Sequence, residues 1–189
     1  SSTTVGAVFV YDTRNDSDGG AWRKKTSHTS WAREAASATR SSRSEFPSVA
    51  LIVADNDTSG SSVHHLDIYD LDDPSAPLWL RTSTTAQASP YHDFWRGGRA
   101  VSSIAALNGR VYFGTNVNDQ VGVKVLDFAE DRLYSFGTTS NREWSGYFSG
   151  GIADRNSDSK VFLGNTLGAI VHRDVNDVAA TVLEGAEIG

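Results

Sequence analysis

The side chains with the most chemical capacity in this chain are its aspartates, a histidine pair and a run of aromatics. His64-His65 with Asp67 sets imidazole beside carboxylate, a common donor pair for zinc and other transition metals. In a strand, however, His65 and Asp67 share one face while His64 points to the other, so the two imidazoles do not meet on one ion. The segment reads instead as a polar strand edge. Asp16-Ser17-Asp18-Gly19-Gly20 has the composition of a calcium loop, but EF-hand spacing would put Arg14 at the first ligand position and finds no Glu at the twelfth. The chain contains no cysteine, which excludes thiolate metal sites and disulfides. It has no Gly-x-Ser-x-Gly elbow for a serine nucleophile and no Gly-x-x-x-x-Gly-Lys loop for a phosphate. The expectation is no catalytic residue, no metal and no cofactor.

Glycoside hydrolysis would need two carboxylates about 5 to 9 Å apart across a cleft. Many of the aspartates here fall in turns, where solvation accounts for them. The segment Pro90-Tyr91-His92-Asp93-Phe94-Trp95-Arg96-Gly97-Gly98-Arg99 joins three aromatics to two arginines, a composition enriched at recognition hot spots and sugar-stacking platforms. Packing between repeat units is the favoured reading, and Trp144 with Tyr147 and Phe148, which repeats the arrangement one unit later, strengthens it. If such a loop takes a ligand, Tyr91 and Trp95 are the residues that would stack on it.

The formal charge of -6 disfavours a protein built to neutralise phosphates, so nucleic acid is an unlikely partner. One stretch runs against that balance: from Trp22 to Glu45, Arg23, Lys24, Lys25, Arg33, Arg40 and Arg43 face only Glu34 and Glu45. It reads as a solvated or subunit-facing surface. No run approaches the ~18 consecutive apolar residues that span a bilayer, and the first residues lack a signal peptide, so a soluble protein is expected. The absence of any methionine points to a chain cut from something longer.

The elements that would position these groups are betrayed by self-similarity. Val8-Phe9-Val10-Tyr11-Asp12, Leu66-Asp67-Ile68-Tyr69-Asp70 and Val123-Lys124-Val125-Leu126-Asp127 each alternate apolar residues and close on an aspartate. The closing residues Asp12, Asp70 and Asp127 lie 58 and then 57 residues apart. Each is followed by a polar turn and an aromatic, Trp22, Trp79 and Phe136, at offsets of 10, 9 and 9. Alternation then turn then aromatic predicts a hairpin. Strand-like runs at 49–54 and 110–115 precede the second and third hairpins, and 160–165 repeats them ahead of 167–172. Val101–Leu107 resembles 175–181, both reading as strands that open a unit.

These patterns predict an all-β chain: a β-propeller fragment of about three four-stranded antiparallel blades, entered at the third strand of a blade. A β-sandwich is the alternative. The whole of 1–189 would form one partial propeller domain, with blade pieces at about 1–28, 46–85, 100–140 and 148–189. Ser30-Trp31-Ala32-Arg33-Glu34-Ala35-Ala36-Ser37-Ala38 predicts one short helix capped by Ser30, inserted between blades at about 29–45.

Two resemblances add to this. Asp16-Ser17-Asp18-Gly19-Gly20-Ala21-Trp22 resembles the Asp-box of sialidases and related propellers, with Asp16 in the usual Ser/Thr place and the glycine-to-tryptophan gap one residue short. That box is a structural hairpin between the third and fourth strands of a blade and implies no catalysis. Tyr11-Asp12-Thr13 through Asp16 to Lys24, then Thr29-Ser30-Trp31, Glu34 to Arg40 and Glu45-Phe46-Pro47 look like a family of structural proteins of marine bacteriophages, found as virion or tail-associated proteins in marine metagenomes. The likeness spans most of the chain. It implies a phage virion protein, not an enzyme, whose partners are other virion proteins or the remaining blades of the same chain. The alternative is a carbohydrate-binding or glycan-cleaving, sialidase-like propeller that meets a host-surface glycan.

Overall fold

A computed structural model describes residues 3–26, 43–57, 64–83, 100–115, 121–139, 142–148, 152, 160–162, 175 and 177–181. The described chain is all-β apart from two 3-10 helices, Thr13–Asn15 and Ala21–Thr26. No helix among the described residues is long and apolar enough to cross a membrane.

Strands β1 (Thr3–Asp12), β2 (Val49–Asp57), β3 (His65–Asp70) and β4 (Leu78–Ser83) form one antiparallel meander in chain order. Strands β5 (Val101–Leu107), β6 (Arg110–Thr115), β7 (Val121–Asp127), β8 (Arg132–Thr139), β9 (Arg142–Phe148) and β10 (Lys160–Phe162) form a second. Thr139 pairs with Arg142 across the β8–β9 hairpin, a connection too short for anything but antiparallel neighbours. The second sheet therefore runs past the expected four strands: 142–148, expected between units, and 160–162, expected in a new unit, extend it. Residues 167–172 lie outside the described residues.

The expected point of entry into the repeat is also corrected. Tyr11 pairs with Ala50, which pairs with Asp70. Leu107 pairs with Arg110, which pairs with Asp127. β1 is thus the first strand of its sheet, equivalent to β5, and the chain is not entered at a third strand. Both first strands carry a register shift at the same place, between Val5 and Ala7 and between Val101 and Ser103. The connection 13–48 consequently lies inside the first sheet, where β5 and β6 need only Asn108-Gly109. Both of those residues have positive φ, 50° and 79°, the conformation that an Asn-Gly hairpin turn supplies. The predicted helix at 30–38 lies outside the described residues.

The two sheets share one core, and they meet with opposite faces. Ala50, Ile52, Ala54, Leu66, Ile68 and Leu80 of the first sheet are buried in it. Their register equivalents in the second sheet, from Arg110 and Tyr112 to Val125 and Tyr134, are not part of that cluster. The second sheet instead contributes Val101, Ile104, Val111, Phe113, Leu126 and Leu133. Phe46 is fully buried where it packs against Trp22, Trp79 and Phe128, so the 43–48 segment plugs one end of the core.

Candidate functional site

The carboxylates at the strand ends are occupied by structure. Asp12 accepts from the Arg14 amide at 3.1 Å and its guanidinium at 2.7 Å. Asp70 accepts from the Asp72 amide at 3.0 Å and from Arg43 at 2.8 Å. Asp127 accepts from the Glu130 amide at 3.0 Å and from Arg110 at 2.6 Å. Each aspartate closes its own turn, which is why the same pattern stands at the end of a first strand (Asp12) and of two third strands.

The aromatics that follow are not equivalent in space. Trp22 sits in the second 3-10 helix, buried. Trp79 is in β4, buried, and donates to the Arg43 carbonyl. Phe136 lies deeper in β8, opposite Val123 and off the shared core, stacked on Tyr134 at 6.0 Å. The loops 71–77 and 128–131 differ in length, so a constant offset from the aspartate lands at different strand positions. Trp144, Tyr147 and Phe148, expected between units, lie on strand β9.

The Asp-box-like segment forms a pin. Asp16, buried, accepts from the Tyr11 hydroxyl at 2.6 Å, from Trp22 Nε1 at 2.8 Å and from the Asn108 amide at 2.9 Å. The Gly109 amide donates to the Tyr11 oxygen at 2.8 Å. Burial, and then the bond to Asp16, push the Tyr11 phenol far above its ordinary range, so it stays protonated. The segment joins the first sheet to the Asn108-Gly109 turn of the second. It lies between first and second strands, not third and fourth, because β1 opens its sheet.

His64 is buried just before β3. Asp67 receives a two-pronged contact from Arg81, at 2.7 and 2.5 Å, and a bond from Tyr69. No group of three or more His, Cys, Asp or Glu that could hold a metal ion occurs among the described residues. Tyr91 and Trp95, the proposed stacking residues, lie outside the described residues.

The feature that sequence reading missed is a joint between sheets. Asn56, nearly buried at the end of β2, donates through Nδ2 to the Val101 carbonyl and accepts through Oδ1 from the Val101 amide, both at 3.1 Å. One side-chain amide thus binds both backbone groups of the residue that opens the next sheet. Gly6, at the register shift of β1, lets this happen: a β-carbon there would lie 2.6 Å from the Val101 oxygen. The arrangement recurs. Ser102, at the register shift of β5, donates to the Val175 carbonyl, and a β-carbon on Gly114 would lie 2.7 Å from Val175 Cγ1. The signal was available in Val5-Gly6-Ala7-Val8, which matches the opening of the Val101 and Val175 segments once the closing aspartate of β1 is set aside.

No protein-family model, no curated protein and no solved structure matches this chain. The geometry above is that of an all-β chain in which Asp12, Asp67, Asp70 and Asp127 hold arginines and whose distinctive contacts join one sheet to the next.

Proposed function

We propose that this chain is a stretch of a β-propeller-like repeat protein that works as an assembly surface in a phage virion rather than as an enzyme. The observation that carries the propeller part is the recurring joint, in which the first two strands of a sheet close on a valine further along the chain, Val101 at the start of the second sheet and Val175 beyond it. Opposite-face packing supports the same reading. Units related by rotation about a common axis stack face to back, whereas a two-fold sandwich of two such meanders would bring equivalent faces together. The close approach of β1 to β5 is what converging inner strands would give.

The non-enzymatic part is supported by the ionic pairing. Arg14, Arg23, Arg43, Arg81, Arg110 and Arg132 each contact a carboxylate of the scaffold, leaving those groups committed to architecture. The virion setting is supported by the resemblance of the 11–47 segment to marine phage structural proteins. Mass spectrometry of density-purified particles tests it: peptides of this chain at stoichiometric abundance are expected. Their absence from particles, with the protein abundant in the infected cell and binding a glycan array, would overturn it in favour of a glycan-directed protein.

A further inference from the structure

Asn108-Gly109 is the one Asn-Gly pair in the chain. In such a pair the glycine nitrogen can attack the asparagine side-chain carbonyl, because no β-carbon on the glycine obstructs the approach. A bond forms between Gly109 N and Asn108 Cγ as the amide proton leaves, and the side-chain nitrogen departs as ammonia. Water then opens the five-membered imide at either carbonyl. The product is aspartate or, with the backbone routed through the side chain, isoaspartate.

The groups of this reaction are all tied down where the two sheets meet. The Gly109 N–H, whose proton must leave, donates to the Tyr11 hydroxyl oxygen at 2.8 Å. That phenol stays protonated and donates in turn to Asp16, so it is no base for the amide. Gly109 is buried, and a β-carbon on it would lie 2.9 Å from the Trp22 ring, so the indole covers it against solvent base. The Asn108 amide donates to Asp16 at 2.9 Å, and its side-chain Oδ1 accepts from the Ser17 amide at 2.9 Å and the Ser17 hydroxyl at 3.0 Å. The Ser17 donors draw electrons from the carbonyl and by themselves favour attack. They also fix that carbonyl in place while the nucleophile is held by Tyr11.

We infer that Asn108-Gly109 is a latent site of spontaneous deamidation, kept silent by the contacts between the sheets, whose conversion makes a parting of the sheets permanent. Isoaspartate adds a backbone carbon to a two-residue turn whose φ values of 50° and 79° suit the strands it joins. That draws Gly109 off Tyr11 and residue 108 off Asp16. Either product also brings a second carboxylate close to that of Asp16.

Peptide mass spectrometry of samples aged in mildly alkaline buffer tests this. Folded wild type is expected to convert at Asn108 at least about a hundredfold more slowly than the same chain in guanidinium, because conversion follows the rare open state. Tyr11→Phe keeps the ring but frees the Gly109 N–H, and is expected to convert at least about tenfold faster than folded wild type. Ile52→Val, at a fully buried position in the first sheet, weakens the core away from the turn and is expected to shift the rate less. Equal rates in folded and unfolded wild type overturn the inference, as does an Asn108 that converts in neither, or a Tyr11→Phe rate no higher than that of wild type or Ile52→Val. A second measurement needs no variant: in sub-denaturing guanidinium, conversion and hydrogen exchange at the Gly109 amide should climb together, and conversion that climbs without exchange overturns the protection. Chain converted in guanidinium and then diluted is expected not to recover the tryptophan emission of unconverted chain treated alike. Full recovery overturns the permanence.

Discussion

Replacing Asp16 with alanine tests whether the pin between the sheets is a principal tertiary fastening. The substitution leaves the Tyr11 hydroxyl, the Trp22 indole N–H and the Asn108 amide without their acceptor. A buried donor left unsatisfied costs about 1–3 kcal/mol. Relaxation and water entry keep three such losses from adding in full, and removing a buried carboxylate returns some desolvation, so a net loss of about 3–5 kcal/mol is expected. Against a total stability of about 5–15 kcal/mol for a domain, that is a large share. Urea unfolding followed by tryptophan fluorescence measures it, with Trp22 as a reporter inside the pin. Asp18→Ala is the control: Asp18 is exposed and accepts from the Gly20 and Trp22 amides within its own turn, so it should cost only about 1 kcal/mol. A loss below about 1 kcal/mol for Asp16→Ala, or equal losses for the two, would refute the reasoning, because burial and inter-sheet reach are what distinguish them.

Further outcomes follow from the same contacts. Gly109→Ala should destabilise by about 2 kcal/mol or more, because it sets a β-carbon 2.9 Å from the Trp22 ring at φ 79°. Gly19→Ala, with φ 64° and open space around it, should cost only about 1 kcal/mol, and differential scanning calorimetry compares the two. Asn56→Asp keeps the acceptor for the Val101 amide but turns a carboxylate on the Val101 carbonyl. Hydrogen exchange at Val101 should quicken more in it than in Asn56→Ala. Asp72 is held below the ordinary carboxylate range: burial acts against this, but bonds from the Ser48 hydroxyl and the Ser48 and Val49 amides, with the Arg43 charge, outweigh it. A depressed folded-state pKa stabilises above the unfolded value and is lost as pH falls through the folded one. Asp72→Asn should therefore lower stability at pH 7 and flatten its decline below about pH 4, as read from melting temperature against pH.

The strands were largely legible because alternation and turn chemistry are local. Val49–Ala54, Leu66–Asp70, Arg110–Thr115 and Val123–Asp127 all fall inside observed strands. The order of strands in a sheet is not local, and there the reading slipped. An aspartate that closes its own turn marks the end of a strand without saying which strand it is, so Asp12 was set beside Asp70 and Asp127 although β1 opens its sheet. The Asn108-Gly109 turn carried better information. A two-residue connection fixes its strands as antiparallel neighbours, and matching Tyr11 to Leu107 across it gives the correct register. The Asp16 segment was legible as a structural turn through its resemblance to the Asp-box, but its reach to Asn108, 92 residues away, was not.

The two joints explain why so regular a geometry leaves so faint a trace in the residues. Each needs one position without a side chain, to let the incoming valine backbone close in, and one side chain that can hydrogen-bond that backbone. At the first joint the bare position is Gly6 on the first strand and the polar one is Asn56 on the second. At the second the roles are exchanged: the polar residue is Ser102 on the first strand and the bare one is Gly114 on the second. Position by position the two joints share nothing. A serine at position 6 would strike Asn56 and the Val101 oxygen, and a side chain at position 114 would strike Val175. What repeats is a requirement on volume and hydrogen bonding summed over a pair of strands, so the repeat is constrained as a pair and free at each member.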